Sequence, residues 1–259
     1  MMDCNVFSGE ISRFIRPQSF PLGIKLLKKG DELPAEAVRP LKYGVKISLC
    51  QWTTMARRWG RILGALAEDI NCTPCLAALG LKRMAGIHDL AAYFLEMGYF
   101  ETIEAAGIAA EALEPLPPGE VRGIAIFPLH LAPVEPDVVV IYGTPAQMVR
   151  LTAAYIYKTG ELVESKTTGF GISCLSAIKP YFTGKPALVH PGRGERILAG
   201  TDECEMFFTF PANRSEALLE GLQKTEEKGT RYPVQSYLIF QPPLVKPLTN
   251  LGAKLTDLF

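Results

Sequence analysis

No stretch of this sequence approaches the roughly 18 uninterrupted apolar residues that a membrane-spanning helix requires. The densest β-branched run, Val138 to Ile141, has only the length of a strand. The opening residues Met1-Met2-Asp3-Cys4-Asn5 lack the charged segment and apolar run of a secretory signal. Charge of one sign is not in excess either: 27 Lys plus Arg face 27 Asp plus Glu. That balance predicts no nucleic-acid binding, which usually needs a basic surface excess, and leaves open only a locally basic groove. Histidine is scarce and dispersed, at His88, His130 and His190, with no H-x-x-x-H or H-E-x-x-H pair. A His-rich zinc hydrolase is therefore not expected. No G-x-S-x-G elbow and no G-x-x-x-x-G-K phosphate loop occur. These absences predict a cytoplasmic protein without a membrane or nucleic-acid partner.

What the chain does have is six cysteines in 259 residues. Cytoplasmic thiols are normally reduced, so metal binding or catalysis competes better than disulfides. Cys72 and Cys75 form a C-x-x-C knuckle in Asn71-Cys72-Thr73-Pro74-Cys75, a spacing that lets two thiolates point at one metal. A zinc ribbon would need a second such pair, which is missing. A thioredoxin-type pair would need a strand leading into a helix, and none is legible before the knuckle. Cys50 lies in Leu49-Cys50-Gln51 and Cys174 opens an apolar helical run. Read singly, each is more simply a buried core cysteine. Cys204 sits among acidic residues that disfavour its thiolate, and Cys4 lies near the terminus.

Nearly half the residues are apolar, enough for one large domain or two small ones. Strands are expected over 20–27, 46–50, 121–129, 137–142, 187–190 and 205–210. Helices are expected over 51–66, 89–97, 102–112, 144–158 and 215–228. Thr144-Pro145 supplies a cap and a first-turn proline. The proline-rich tail reads as an extended arm. Pro115-Leu116-Pro117-Pro118-Gly119 is a breaker. It divides a cysteine-bearing half, 1–114, from a more regular half, 120–259, within one compact two-lobed unit. The fold class is α+β or α/β, a mixed sheet with flanking helices.

After the strand ending at His190, the segment Pro191-Gly192-Arg193-Gly194-Glu195-Arg196 reads as a Gly-rich basic loop. Amides at Gly192 and Gly194 could form an anion-binding concavity, with Arg193 or Arg196 adding a planar fork. A solvated turn is the plainer reading. Arg57-Arg58-Trp59-Gly60-Arg61 more often marks an exposed helix face than a phosphate groove.

The order Leu49-Cys50-Gln51, then Cys72 leading into Ala77-Ala78-Leu79-Gly80-Leu81, resembles the domain-of-unknown-function family 169. Pro136 to Ile141, Pro145 to Leu151, Ser173-Cys174, Tyr181 to Pro186 and Gly192-Arg193-Gly194 resemble its later segments. The likeness runs over roughly residues 15 to 215. Members are similar to proteins common in anaerobic archaea and bacteria, where oxygen-sensitive clusters are frequent. The resemblance implies cysteine at the positions of Cys50, Cys72 and Cys174. The positions of Cys75 and Cys204 do not stand out in it. The chain departs from the family at the Gly-rich loop, which often carries a Cys and a Ser there. His190 or Cys75 would then substitute as a ligand, or one coordination position would stay open.

The leading expectation is an iron–sulfur protein holding a 4Fe–4S cluster through Cys50, Cys72 and Cys174. It would act on a small anionic substrate in a redox or lyase-type reaction, with a redox partner or a second copy of the chain as possible associates. The alternatives are a metal-free module for an anionic or aromatic metabolite and a zinc-stabilised scaffold.

Overall fold

The computed structural model describes residues 3–81, 87–170 and 173–235, with the side chains of residues 87 and 88 left aside. The proline-rich arm beyond residue 235 lies outside the described residues. Among the described residues, six strands form one open antiparallel sheet. In chain order they are β1 (Leu22–Leu27), β2 (Leu63–Leu66), β3 (Gly123–Pro128), β4 (Val138–Gly143), β5 (Ala187–Val189) and β6 (Met206–Pro211). Across the sheet the order is β2-β3-β1-β4-β6-β5. Residues before and after the Pro115–Gly119 breaker thus share one sheet. The breaker itself is held: Leu116 N–H donates to Ala78 O at 2.8 Å and Gly119 N–H to Gly80 O at 3.0 Å. Gly80 is left-handed, and a Cβ there would meet Pro117 O at 2.3 Å, so only glycine fits.

Around the sheet lie α1 (Cys4–Ile15), α2 (Leu49–Trp59), α3 (Thr73–Ala78), α4 (Ile87–Glu96), α5 (Ile103–Ala112), α6 (Pro145–Tyr155), α7 (Ser173–Thr183), α8 (Arg193–Ala199) and α9 (Ser215–Glu227). This is an α+β fold: every strand pairing is antiparallel. None of the described helices is long and apolar enough to cross a membrane. The β-branched strand β4 is buried along its whole length because both sheet faces are covered. Its odd and even positions serve two cores. Val139 and Ile141 join Phe7, Ile11, Met148, Leu151, Phe208, Phe210, Leu218 and Leu222 beneath α1, α6 and α9. Val138, Val140 and Tyr142 join the larger core, which includes Leu49, Trp52, Cys75, Leu76, Leu90, Phe94, Leu175 and Ile178.

Four local expectations are corrected. Residues 46–50 are not a strand. Ser48 caps α2 in a capping box with Gln51, its Oγ accepting from Gln51 N–H at 3.4 Å while Gln51 Oε1 accepts from Ser48 N–H at 2.8 Å. The helix expected over 51–66 stops at Gly60, whose left-handed φ of 68° ends α2, and the chain re-enters the sheet as β2. The knuckle therefore does follow a strand: β2, one tight turn at 67–69, then α3. The Gly-rich loop is the start of a helix, α8, with Gly192 as its N-cap.

Candidate functional site

Three helix beginnings bring thiols together. Cys50 lies in the first turn of α2, where Ser48 Oγ sits 3.0 Å from its sulfur. Cys72 is the residue capping α3, and Cys75 points inward from that helix's first turn. Cys174 is the second residue of α7, which packs against both α3 and β4. The Cys75 thiol interacts with the thiols of both Cys174 and Cys72. The Cys50 thiol lies near enough to Cys174 and Cys72 to feel their charge. Four cysteines that span more than a hundred positions of chain thus share one neighbourhood, all of them free thiols.

The four are not equivalent. The Cys75 side chain acts on Cys72 and, outweighing burial, brings it down to about 7; the Cys75 N–H also points toward it without closing an ordinary capping hydrogen bond. A thiolate is thus populated at Cys72 near neutral pH. Interactions with Cys174 and then Cys72, together with burial, hold Cys75 well above the ordinary thiol range. Burial pushes Cys50 up to about 12, against the Ser48 hydroxyl, which favours its thiolate. The rim beside Cys72 is aromatic. Tyr93 feels the Cys72 charge and meets Tyr99 at 6.5 Å, and Tyr99 stacks on Phe170 at 4.4 Å.

Beneath the thiols lies a polar network that the sequence did not suggest. Glu195, in the first turn of α8, is buried. Its carboxylate accepts from Tyr142 Oη at 2.7 Å, Ser173 Oγ at 2.5 Å and Thr201 Oγ1 at 3.3 Å. Its negative charge raises the Cys50 thiol further. Burial and then Glu195 hold the Tyr142 phenol well above its ordinary range, so it stays a donor. Arg57 lies over the Tyr142 ring, its Cζ 4.2 Å from the centroid. It grips Glu205 bidentately at 2.5 and 2.9 Å. Burial opposes the Glu205 charge, but Arg57, the Asp202 N–H and Arg58 together hold the carboxyl low. The cue for Glu195 was present: a glutamate three residues after Gly192 suits a helix start, had the segment been read as one.

The remaining predicted site residues lie elsewhere. His190 is exposed, its Nε2 2.8 Å from Thr167 Oγ1. Arg193 is exposed, and the N–H groups of Arg193 and Gly194 are taken by Gly169 O and Phe170 O, each at 2.9 Å. Arg196 donates to the carbonyls of Asp202 and Glu205. The loop's amides and the Arg196 fork therefore tie Gly192–Arg196 to its neighbours. Cys204 is exposed in a turn, and Cys4 begins α1. Among the described residues, no group of three or more His, Cys, Asp or Glu side chains is arranged to hold a single metal ion.

No curated protein and no solved structure matches the chain. A family model does: DUF169, described as Uncharacterised ArCR, matches residues 10–221. That span includes β1 to β6 and all four clustered cysteines. The chain belongs to the DUF169 family.

Proposed function

We propose that this is an iron–sulfur protein of anaerobic metabolism, with a cluster of the 4Fe–4S type held by Cys50, Cys72 and Cys174, acting on a small anionic substrate. The observation that carries the reading is the meeting of thiols from α2, α3 and α7 at one place. A set of soft thiols from separate elements fits such a group in donor type. When bound, the cluster would supply electron transfer or, through an iron without a protein ligand, Lewis acidity. The chain's own residues do the rest. Cys50 and Cys174 sit in the first turns of eleven-residue helices, where the peptide dipoles favour negative charge. Ser48 steadies the Cys50 sulfur. Tyr142, Ser173 and Thr201 fix Glu195 below the site. Tyr93, Tyr99 and Phe170 shield the Cys72 side from water. Cys75 stands ready as a further thiol.

Protein purified without oxygen tests this. The reading expects brown protein with a broad band at roughly 400 nm that is lost on exposure to air. Colourless protein with stoichiometric zinc would support the scaffold reading instead.

One observation favours a second reading, a dithiol–disulfide centre at Cys72 and Cys75. The first cysteine caps a helix and is held at about 7, while the second is buried and held high. That is the division of labour between an attacking and a resolving thiol. Colourless, metal-free protein whose Cys72–Cys75 pair takes up two electrons reversibly would select it.

A further inference from the structure

A cleft of about 750 Å³ runs along the side of α7 that carries Leu175, Ser176, Lys179 and Thr183. Residues of β5, the turn before it and the segment 164–166 complete its lining. The floor is apolar, with Leu113, Leu175 and Val189 buried beneath it. Two ammonium groups meet at one end. Lys166 Nζ lies 2.9 Å from Glu114 Oε1, and Lys179 Nζ lies 3.1 Å from Glu114 Oε2. Each lysine takes one oxygen of a single carboxylate.

Glu114 is an unusual residue to fill that place. Its φ of 50° is left-handed, which only one other described non-glycine residue shares. Pro115 follows it, and a residue before proline is disfavoured in helical conformations. The side chain is more than half exposed, so its ion pairs contribute little to folding. Lys179 Nζ also donates to the Glu114 carbonyl at 2.6 Å. The lysine therefore stays in position when the carboxylate leaves.

We propose that this cleft binds a small amphipathic carboxylate, its apolar body on the Leu113–Leu175–Val189 floor and its carboxylate between Lys166 and Lys179. Glu114 occupies the lysine pair in the ligand's absence and is displaced by it. The paired geometry matches a carboxylate because it already holds one. This deepens the proposed function, which calls for a small anionic substrate without placing it, and it rests on that reading only for the charge of the substrate. Cys174 lies in the first turn of the same helix, so a bound acid and the Cys174 site would share α7 as a wall.

The test is titration of the full chain with octanoate, followed by calorimetry, at low and at physiological salt. Glu114→Gln removes the internal competitor and is expected to bind octanoate about tenfold more tightly, since a charge-assisted contact no longer has to be broken. Lys166→Ala, at an exposed position, is expected to weaken binding by about tenfold, and Lys179→Ala by more. Butyrate, with little body for the floor, is expected to bind far more weakly than octanoate. Unchanged affinity in Glu114→Gln, or full affinity in Lys166→Ala, would overturn the proposal. The absorbance of the same samples reads the iron–sulfur assignment separately. Octanoate bound with these variant effects to colourless protein keeps the carboxylate site and removes the cluster. Brown protein indifferent to octanoate does the reverse.

Discussion

The two faces of the sheet are built from the same strands to opposite ends. Beneath α1, α6 and α9 the packing is closed and mainly apolar. Gly221 on α9 approaches α6 so closely that a Cβ would meet Ala154 O at 2.0 Å. The buried cation there, Arg150, ties α6 to α9: it donates to Thr225 Oγ1 at 2.6 Å and Leu222 O at 2.5 Å and lies 3.8 Å from Glu226 Oε2. The other face carries the four clustered thiols, the buried Glu195, the Arg57–Glu205 pair and the cleft along α7. Buried polar groups cost free energy unless fully paired. Both faces bear some of that cost, with Arg150 Nε and Ser215 Oγ unpaired on one and Arg57 Nε on the other, but only the second gathers it around thiols and a buried carboxylate. The difference teaches that this fold uses one side of its sheet as a foundation and the other as a site.

The comparison can be broken by mutation, and the largest effect falls on the site face. Arg57→Ala leaves the half-buried Glu205 with only Arg58 and the Asp202 N–H and opens a cavity over the Tyr142 ring, and it is expected to destabilise by about 3–4 kcal/mol, read by chemical denaturation. A loss below about 1 kcal/mol would mean that the pair is solvated in solution. Gly221→Ala on the foundation face should cost about 3 kcal/mol by forcing α6 and α9 apart. It should leave thiol reactivity in the folded protein untouched. If Cys72 reactivity changes as well, the two faces are coupled and the contrast fails. Tyr142→Phe removes one of three donors to Glu195 and is expected to cost about 1–3 kcal/mol.

A fourth prediction concerns pH and is small in energy. In metal-free reduced protein, Cys72 is held at about 7 and Cys50 at about 12. Alkylation by iodoacetamide, located by mass spectrometry, should rise at Cys72 with a midpoint near that lower value, while Cys50 stays protonated and unreacted at neutral pH. The linkage has the matching sign. Because the Cys72 value is lowered by folding from 9.0, its contribution to stability is full above about pH 9 and is lost as pH falls through about 7. The Cys50 value is raised, so its contribution is present below about pH 9 and is lost as pH climbs toward 12. Equal alkylation of both thiols at neutral pH would contradict this ordering.

Periodicity made much of the fold legible. The runs at 20–27, 137–142 and 205–210 became β1, β4 and β6 within a residue or two at either end. Thr144-Pro145 announced α6, whose capping box closes as its residue types require. The errors arose where one glycine changed the meaning of its neighbours. Gly60 looked like a weak point inside a helix and is its end. Gly192 looked like loop and is a helix cap. Helix α1 went unread although it was legible: Asp3 caps it, and Phe7, Ile11, Phe14 and Ile15 fall at the spacing of one helix face with polar residues between them. At the site, single cysteines such as Cys50 and Cys174 gave no reason of their own to meet. Their meeting depends on strand order, which no local pattern encodes. The lysine pair was invisible for the same reason: Lys166 and Lys179 converge only through Glu114.

The most direct test of the central claim is iron and acid-labile sulfide per chain, measured in protein prepared without oxygen and compared across single serine variants. The account predicts near-stoichiometric iron and sulfide in the parent protein and in Cys204→Ser, whose thiol lies exposed in a distant turn. It predicts loss of most of both in Cys50→Ser, Cys72→Ser and Cys174→Ser, with each variant still folded by circular dichroism. A parent chain without iron and sulfide, or one that keeps both when Cys72 and Cys174 are replaced, would contradict it.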